Sequence, residues 1–290
     1  MNNEHKNCLL CNSINLFKLK NYEKHQLIKC SDCGFVFMSR IPSLEDLEKH
    51  YKTYSYTNKI ISPLTVNSYN LLLDEFENYR SNNNLLDVGC GKGWFLLIGK
   101  DRGWNVYGTE FTMDAVEVCR EKGINISHGD LNQIDFKGVL FDVIMISEVI
   151  EHTSNPMEQF KNIYSLLRPG GLLFVTTPNF NCYLRFKYKA NYNIIEYPEH
   201  LGYFTKKTLH ASLVNSGFEK RKLLTTGISL SRASFSSGSS KPREEVISQD
   251  EKLRKLMAYN KGMLYLKSLV NYVLSITGLG LILKAYYVKK

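Results

Sequence analysis

The stretch LLDVGCGKGWFLLI, residues 85–98, decides the fold of this 290-residue chain. An apolar pair leads into an acid and three alternating glycines, and an apolar run with helical character follows. A glycine turn between a buried strand and a helix start brings backbone N–H groups close to a ligand at the edge of a parallel sheet. The turn therefore predicts a nucleotide-type binding site.

The spacing of the glycines separates this turn from a dinucleotide site, which has GxGxxG opening the helix. Residues 87–93 read DxGxGxG instead, and this pattern resembles motif I of the class I S-adenosylmethionine-dependent methyltransferases. Four further stretches resemble that family's next motifs in the same order: WNVYGTE at 104–110, INISHGDL at 124–131, FDVIMIS at 141–147 and LLRPGGLLFVTTP at 166–178. The resemblance implies an α/β fold with a doubly wound, Rossmann-like methyltransferase sheet.

The resemblance also implies S-adenosyl-L-methionine as the cofactor. In the family's binding mode Glu110 would accept both ribose hydroxyls, which suits a carboxylate with two acceptor oxygens, and Asp130 would lie near the adenine amine. The implied cofactor-binding residues are Asp87, Gly89, Cys90, Gly91, Gly93, Glu110, Phe111, Asp130, Leu131 and Ser147. A binding protein that kept the fold and lost catalysis is a competing interpretation, and the presence of these acids argues against it.

Two CxxC pairs near the N-terminus predict a structural zinc ribbon, because Cys8 and Cys11 are separated from Cys30 and Cys33 by a stretch that can form a hairpin. Four thiolates complete the tetrahedral shell of Zn²⁺ and leave no position for chemistry. Redox dithiols are the alternative, but a redox CxxC normally opens a helix after a strand. The remaining cysteines are predicted to be isolated small apolar residues: Cys90, Cys119 and Cys182.

The best candidates for catalytic or metal-binding side chains follow the fourth strand of the predicted sheet. Residues 148–152 read EVIEH there. Ligands bind at the carboxyl ends of strands in open α/β sheets. Together with His200, this stretch resembles the metal-dependent O-methyltransferases of ubiquinone biosynthesis and of small-RNA 2′-O-methylation. That resemblance implies a divalent ion held by Glu148, Glu151, His152 and His200.

A bound cation would lower the pKa of an acceptor hydroxyl, and a histidine could then accept its proton. Carboxylate and imidazole ligands suit Mg²⁺, Mn²⁺ or Fe²⁺. The same residues also resemble bacterial sugar methyltransferases, in which no metal is assumed, either histidine is a metal-free general base and Glu151 braces a helix start. The predicted catalytic residues are Glu151, His152 and His200.

Four parts make up the predicted domain organisation: a zinc ribbon at 1–40, a linker with N-terminal helices at 41–80, the S-adenosylmethionine-binding domain at 81–228, and residues 229–290 with a flexible loop, an amphipathic helix and a final strand. The linker begins with a helix start capped by Ser43. Its tyrosines either line the substrate mouth or cover the sheet edge: Tyr51, Tyr54 and Tyr56.

Periodicity and turn residues predict the remaining elements. A helix is expected over 67–79, a second over 205–215 with Thr205 as its cap, and a strand over 218–226. The serine-rich run over 229–241 lacks periodicity and is expected to be a flexible loop.

The C-terminal region concentrates the positive charge, since the formal net charge is +9 and every charged residue after Glu251 is basic. Apolar residues at helical spacing over 252–276 favour a helix packed on the domain, followed by a last antiparallel strand over 281–288. An interfacial helix in peripheral contact with anionic lipid is the alternative. A transmembrane helix is disfavoured because the uncharged stretch 268–283 is shorter than the roughly 20 residues that a bilayer requires.

Polar residues 1–6 carry no secretory signal, which predicts a cytoplasmic protein. The ribbon joined to this domain, with EHLGYFT at 199–205, resembles methyltransferases of bacterial surface-glycan and nucleotide-sugar pathways. The resemblance implies O-methylation of a sugar hydroxyl on a small-molecule or glycan acceptor, as in polysaccharide biosynthesis. A polyprenyl-quinone or lipid headgroup is an alternative acceptor that suits the apolar tail, and an RNA 2′-hydroxyl is one that suits the charge. Nucleic acid is the least expected, because the basic tail contains no interleaved recognition motif.

Overall fold

A computed structural model describes residues 4–43, 46, 61–237 and 261–290. Tyr51, Tyr54 and Tyr56 lie outside these residues. The strands are β1 (Leu16–Lys18), β2 (Leu27–Cys30), β3 (Val36–Met38), β4 (Asn84–Val88), β5 (Asn105–Glu110), β6 (Asn125–His128), β7 (Phe141–Ser147), β8 (Leu167–Pro178), β9 (Gly202–Tyr203), β10 (Phe218–Thr226) and β11 (Ile282–Lys289). The helices are α1 (Pro63–Phe76), α2 (Trp94–Asp101), α3 (Met113–Glu121), α4 (Pro156–Leu166), α5 (Tyr183–Tyr188), α6 (Lys206–Asn215), α7 (Leu230–Ser236) and α8 (Lys261–Thr277).

A seven-stranded sheet forms the centre of the molecule, in the order β10-β11-β8-β7-β4-β5-β6. The five strands from β4 to β8 pair in parallel, and β11 pairs antiparallel with both β8 and β10. Six of the seven residues of β7 are buried, as expected of a central strand that helices cover on both faces. The doubly wound α/β sheet is confirmed, and so is the last antiparallel strand.

The N-terminal ribbon forms a second sheet, in the order β1-β2-β3-β9. Strands β1 and β2 form the hairpin that was expected between the two CxxC pairs. Strand β9, however, comes from the segment that follows β8, and it pairs antiparallel with β3. The ribbon sheet is therefore not confined to residues 1–40. Buried ribbon side chains such as Phe35 and Phe37 belong to the same hydrophobic core cluster as Val88 and Ile146 of the central sheet.

Several predicted helix starts have the expected side-chain caps. The Thr205 hydroxyl accepts a hydrogen bond from the Thr208 backbone N–H, and the Thr208 hydroxyl accepts one from the Thr205 backbone N–H, which is a capping box. Ser43 and Asp46 exchange the same reciprocal hydrogen bonds, although residues 47–60 lie outside the described part of the chain. The helix expected over 67–79 begins earlier, at Pro63, because Ser62 caps it and proline suits the first helical position.

The prediction of a flexible loop over 229–241 was wrong for its first part, where Leu230–Ser236 forms helix α7. Ser229 caps this helix by accepting a hydrogen bond from the Arg232 backbone N–H. The helix is short and serine-rich, so tertiary contacts such as the hydrogen bonds between Ser236 and Asn193 stabilise it rather than its own propensity. Residues 238–241 lie outside the described residues.

Helix α8 confirms part of the helical prediction for the C-terminal region, and residues 252–260 are not described. Its inner side is bound to the edge of the central sheet: the Leu274 carbonyl accepts a hydrogen bond from the Thr225 hydroxyl, and the Asn271 side chain accepts one from the Gly227 N–H. Among the described residues, no helix is both long and apolar enough to cross a membrane.

Candidate active site

A cleft of about 590 Å³ opens at the carboxyl ends of β4, β5 and β7, where an open parallel sheet binds its ligands. Its walls combine the glycine turn, the end of β5 and the segment after β7. The lining residues are Ile41, Pro42, Val88, Gly89, Gly91, Thr109, Glu110, Phe111, Thr112, Gly129, Asp130, Leu131, Glu148, Val149, His152, Thr153, Ser154, Gln159 and Leu201.

The turn after β4 requires glycine for two reasons. Neighbouring side chains leave no room for a Cβ at some positions, and the backbone has positive φ angles. A Cβ on Gly89 would lie 2.5 Å from Cγ2 of Val149, which follows the neighbouring strand β7. A Cβ on Gly93 would lie 2.8 Å from the sulfur of Cys119. Gly91, at φ +53°, has nothing within 4 Å of its Cβ position. Gly91 therefore presents bare backbone to the cleft, whereas Gly93 permits packing behind it.

Glu110 lies on the cleft wall and is held by backbone N–H groups. Its Oε1 accepts hydrogen bonds from Phe111 and Thr112, at 2.8 Å and 3.0 Å, and its Oε2 accepts one from Gly91 at 2.9 Å. A carboxylate offers about four acceptor positions, so three are already used. Both hydroxyls of a ribose could bind here only if one of these N–H bonds, such as that from Gly91, were released.

The predicted cofactor residues divide between the cleft surface and the layer beneath it. Phe111, Asp130 and Leu131 line the cleft with Glu110, Gly89 and Gly91. The other four do not line it: Asp87, Cys90, Gly93 and Ser147. Asp87 is buried, and burial raises the pKa of its carboxyl well above the usual value.

Two of the residues that do not line the cleft, Cys90 and Ser147, have partners beside it. The Cys90 sulfur lies 4.0 Å from that of Cys119, so these two thiols are neighbours rather than isolated. The Ser147 hydroxyl is hydrogen-bonded to that of Thr176 on β8 at 2.8 Å. These contacts support the floor of the cleft.

Glu151, His152 and His200 form a compact cluster, with one ligand atom from each lying within 4.8 Å of the others. The two imidazole rings meet edge to face, with 4.8 Å between their centroids. Oε1 of Glu151 lies 4.0 Å from Nε2 of His152 and has no hydrogen-bond partner, whereas Oε2 accepts one from the Thr177 hydroxyl. Of the three, only His152 lines the cleft.

Backbone carbonyls fix the orientation of both histidines. Nδ1 of His152 is hydrogen-bonded to the Glu199 carbonyl, and Nδ1 of His200 to the Ile194 carbonyl at 2.6 Å. A carbonyl can only accept, so Nδ1 carries the proton in each ring. Nε2 is then the nitrogen that can bind a metal or accept a proton in the neutral ring.

Burial controls the charges in this cluster. It raises the pKa of Glu151 well above the usual value, and the nearby Glu148 adds to that rise. Burial, together with repulsion from His152, lowers the pKa of His200 to about 4. His200 is therefore neutral near pH 7, the form in which imidazole binds metals.

Glu148 stands apart from the other three predicted metal ligands. Its backbone adopts φ +53°, a costly conformation for a residue with a side chain. Its Oε2 lies 3.8 Å from Nη2 of Arg232 on α7, and its Oε1 has no hydrogen-bond partner. Burial raises the pKa of Glu148, and the Arg232 charge opposes that rise.

The residues present fit both predicted metals. The sulfurs of Cys8 and Cys33, and those of Cys11 and Cys30, lie 3.5 Å apart, close to the roughly 3.8 Å that a tetrahedral ion with 2.3 Å Zn–S bonds requires. All four sulfurs lie within 4.8 Å of one another. The second cluster offers one buried, unpartnered carboxylate oxygen and two imidazole nitrogens, a donor set that suits Mn²⁺ or Fe²⁺.

Sequence reasoning missed several residues of the site. Gly129 could have been found, since it stands beside Asp130 in the quoted GDL turn. Arg232 and the buried Tyr192 could not, because neither lies in a recognisable motif. Ile41 and Pro42 come from the end of the ribbon, and only the tertiary fold brings them to the cleft.

Comparisons with known proteins agree with this geometry. The family profile described as Methyltransferase domain matches residues 67–223. Two ubiquinone biosynthesis O-methyltransferases are each 31% identical to the chain, that of Actinobacillus pleuropneumoniae over 144 residues and that of Coxiella burnetii over 109. The alignments cover 45% and 35% of this chain, and 62% and 47% of those relatives. The chain thus spans about half the length of the curated relatives that it matches.

Solved structures show the same fold at low sequence identity. Phosphoethanolamine N-methyltransferase 2 from Haemonchus contortus is 18% identical, with a TM-score of 0.57 over 88% of this chain and 61% of that one. A SAM-dependent methyltransferase from Archaeoglobus fulgidus is 20% identical, with a TM-score of 0.50 over 77% and 93%. These similarities support the Rossmann-like assignment of the central sheet.

Proposed function

The chain belongs to the methyltransferase domain family, and on this premise we propose that it transfers the methyl group of S-adenosylmethionine to a hydroxyl oxygen of a sugar. The observation that carries the proposal is the shared cleft. Glu110 and the open backbone of Gly91 line one side of it, and His152 lines the other. A methyl donor and an oxygen nucleophile can therefore meet between a nucleoside-binding wall and a base.

The proposed reaction removes one proton and moves one methyl group. The acceptor oxygen attacks the methyl carbon in line, the carbon–sulfur bond breaks, and its electron pair stays on sulfur to give S-adenosylhomocysteine. Nε2 of His152 accepts the hydroxyl proton, because Nδ1 already donates to the Glu199 carbonyl. The positive charge that results favours ionisation of Glu151, whose Oε1 lies 4.0 Å from this Nε2, and the carboxylate then stabilises the charged ring. A divalent ion held by Glu151, His152 and His200 would occupy this same Nε2, and it would then lower the pKa of the acceptor hydroxyl in place of the histidine base.

A polyhydroxylated acceptor suits the polar atoms behind the cleft. Within the described part of the chain, four buried side-chain atoms lack a hydrogen-bond partner: Glu148 Oε1, Glu151 Oε1, Tyr192 OH and Arg232 Nη1. Buried polar atoms are normally paired, and these four include both donors and acceptors. Of these residues only Glu148 lines the cleft, where a sugar hydroxyl could donate a hydrogen bond to its Oε1.

Methyl-labelled S-adenosylmethionine tests the acceptor class directly. The protein is incubated with nucleotide sugars, with catechol as a quinol-headgroup probe, and with a short RNA. We expect label in the sugar, and label only in catechol or RNA would contradict the sugar proposal. His152→Gln should reduce transfer about 10²- to 10⁴-fold and leave donor affinity unchanged. The matched control is His210→Gln, since His210 bonds the Tyr287 hydroxyl and does not line the cleft.

A lipid-borne acceptor is the second candidate, and the outer face of α8 favours it. Six large apolar side chains on this helix, at spacings that place them on one face, are 49% to 75% exposed: Tyr265, Leu266, Leu269, Tyr272, Val273 and Ile276. Tyrosines beside aliphatic side chains are typical of helices at a membrane interface, and the basic C-terminal region complements anionic headgroups. The similar proteins named ubiquinone biosynthesis O-methyltransferase lend this candidate further support.

Vesicle flotation distinguishes the two candidates. If the acceptor is lipid-borne, the protein should bind vesicles that contain phosphatidylglycerol better than neutral ones, and Leu269→Glu should abolish binding. Val214→Glu is the matched control, because Val214 is equally apolar and 46% exposed but lies on α6. Failure of the wild-type protein to float with either vesicle would reject peripheral membrane contact.

A further inference from the structure

The N-terminal ribbon contributes directly to the acceptor side of the cleft. Strand β9 joins the ribbon sheet by pairing Gly202 with Phe37 and Tyr203 with Val36. It begins two residues after His200 in the chain, and Ile41 and Pro42 at the end of the ribbon line the cleft. The ribbon and the proposed catalytic histidines therefore share one short segment of backbone.

Leu201 is the residue at which the two parts meet. Its carbonyl accepts a hydrogen bond from the Met38 N–H at 2.9 Å, and its own N–H donates to the Glu151 carbonyl at 2.8 Å. Its neighbour His200 is held from the same segment, because the Tyr203 hydroxyl donates to the His200 carbonyl at 3.0 Å. A displacement of β3 would thus reach Glu151 and His200 through two hydrogen bonds.

Aromatic packing makes this connection stiff. The ring of Phe35 lies 5.0 Å from that of Phe204, centroid to centroid, and both residues are fully buried. A Cβ added to Gly202 would lie 2.9 Å from Cζ of Phe35, so the strand and the ring are already in contact. Phe35 follows Cys33 by two residues, and Cys30 ends β2 directly before that loop. The position of the ring therefore depends on the cysteine cluster.

We propose that zinc at Cys8, Cys11, Cys30 and Cys33 is a positioning element for methyl transfer, which acts through β3, Leu201 and β9 on Glu151 and His200. The inference rests on the proposed function for its catalytic meaning. Within the described residues, the donor side of the cleft, built by the turn after β4 and the end of β5, has no such connection to the ribbon through paired strands. Zinc loss should therefore disturb the acceptor side and spare the donor side.

Amide hydrogen exchange of the 290-residue chain measures whether zinc loss affects the acceptor side and spares the donor side. The experiment does not require an identified acceptor. Zinc binding is weakened by Cys11→Ser, which changes the exposed member of the cysteine cluster and leaves Glu151, His152 and His200 intact. We expect amides at 200–204 to exchange about tenfold faster and those at 84–110 to be unchanged. The affinity for S-adenosylhomocysteine should stay within about threefold of the wild-type value, since its proposed contacts are untouched. Ile14→Ser, at an exposed ribbon position, is the control for surface changes.

Gly202→Val tests the mechanical connection while leaving the cysteines in place. Its side chain would force β9 away from Phe35, so exchange at 200–204 should rise although zinc content remains one ion per chain. This variant also provides the test if Cys11→Ser does not fold. Equal loosening of 84–110 and 200–204 on zinc removal would overturn the proposal, and so would an unchanged 200–204. Failure of the intact protein to bind S-adenosylhomocysteine would instead refute the proposed function.

Discussion

The carboxylate of Glu110 has two roles in this site. It accepts a hydrogen bond from the glycine turn, and it lines the cleft. The bond from Gly91 ties the turn to β5, and the bonds from Phe111 and Thr112 fix the carboxylate at the strand end. The same side chain therefore stabilises the backbone of the turn and is available to bind the ligand. A substitution should affect both, but to different extents.

Glu110→Gln should weaken S-adenosylhomocysteine binding about 10- to 100-fold, because a charge-assisted hydrogen bond contributes roughly 1.5–3 kcal/mol. The amide also presents a donor where backbone N–H groups converge, so a modest fall in thermal stability should accompany the loss. Calorimetric titration measures the affinity. Glu117→Gln on the exposed side of α3 is the control, and equal affinity of the two variants would contradict the assignment.

Asp142 carries a pH-dependent part of the stability. Burial alone would raise its pKa, but hydrogen bonds from the Ser81 N–H and from Arg168 outweigh that effect and bring the pKa below its usual value. A carboxyl with a depressed pKa in the folded protein stabilises it above the pKa of the unfolded chain, and this contribution is lost as the pH falls through the folded value. Asp142→Asn should therefore destabilise the protein at pH 7 and make less difference near pH 3. Urea titrations at both values test this, and a difference that grows toward low pH would contradict it.

At the scale of elements, Asn179 joins the end of β8 to the turn between α8 and β11. Its side-chain amide donates to the carbonyls of Gly278 and Gly280, at 2.9 Å and 2.7 Å, and its own N–H donates to the Leu281 carbonyl. A Cβ on Gly280 would lie 2.4 Å from the Thr225 backbone, so this turn admits no side chain. The last strand therefore enters the sheet through a junction to which the Asn179 amide contributes two hydrogen bonds.

Asn179→Ala should lower the free energy of unfolding by about 2–3 kcal/mol, because two carbonyls lose their donor, one of them in a buried contact. Chemical denaturation measures the change. Asn181→Ala removes a more exposed amide two residues away and should cost less than about 1 kcal/mol. Equal costs for the two variants would show that the junction does not depend on Asn179.

The elements differ in how well the sequence predicts them, and the reason is physical. Strands β4 and β7 are buried runs bounded by turns, so their pattern alone indicates a central parallel sheet. Helix α7 has only seven residues and forms through contacts with distant residues, which no local pattern encodes. Arg232 was therefore missed, whereas the cluster of Glu151, His152 and His200 followed from a recognised motif.

At the scale of the whole molecule, the ribbon and the central sheet share one hydrophobic core. Shared burial couples the global stabilities of the two parts, because complete unfolding of either would expose apolar surface of the other, whereas local opening at 200–204 leaves the common core packed. The pairing of β9 with β3 couples them further. Such a molecule should behave as one cooperative unit in spite of its two sheets.

Differential scanning calorimetry should accordingly show one unfolding transition for the zinc-loaded protein. S-adenosylhomocysteine should move the entire transition upward, by about 2.7 kcal/mol of added stability at a ligand concentration 100 times its Kd. Zinc removal should lower the same transition. Two separate transitions, of which only one responds to S-adenosylhomocysteine, would contradict a shared core.

The pairing between β3 and β9 also limits how this protein can be shortened. A fragment that started at α1 would keep the glycine turn and both histidines of the cluster. It would therefore contain every proposed catalytic residue. Gly202 and Tyr203, however, would lose their pairing with β3 and become an exposed strand edge. Phe204 would lose its contact with the ring of Phe35. Such a fragment should aggregate during purification. Any shortened version of this protein should therefore retain the cysteine-bearing ribbon.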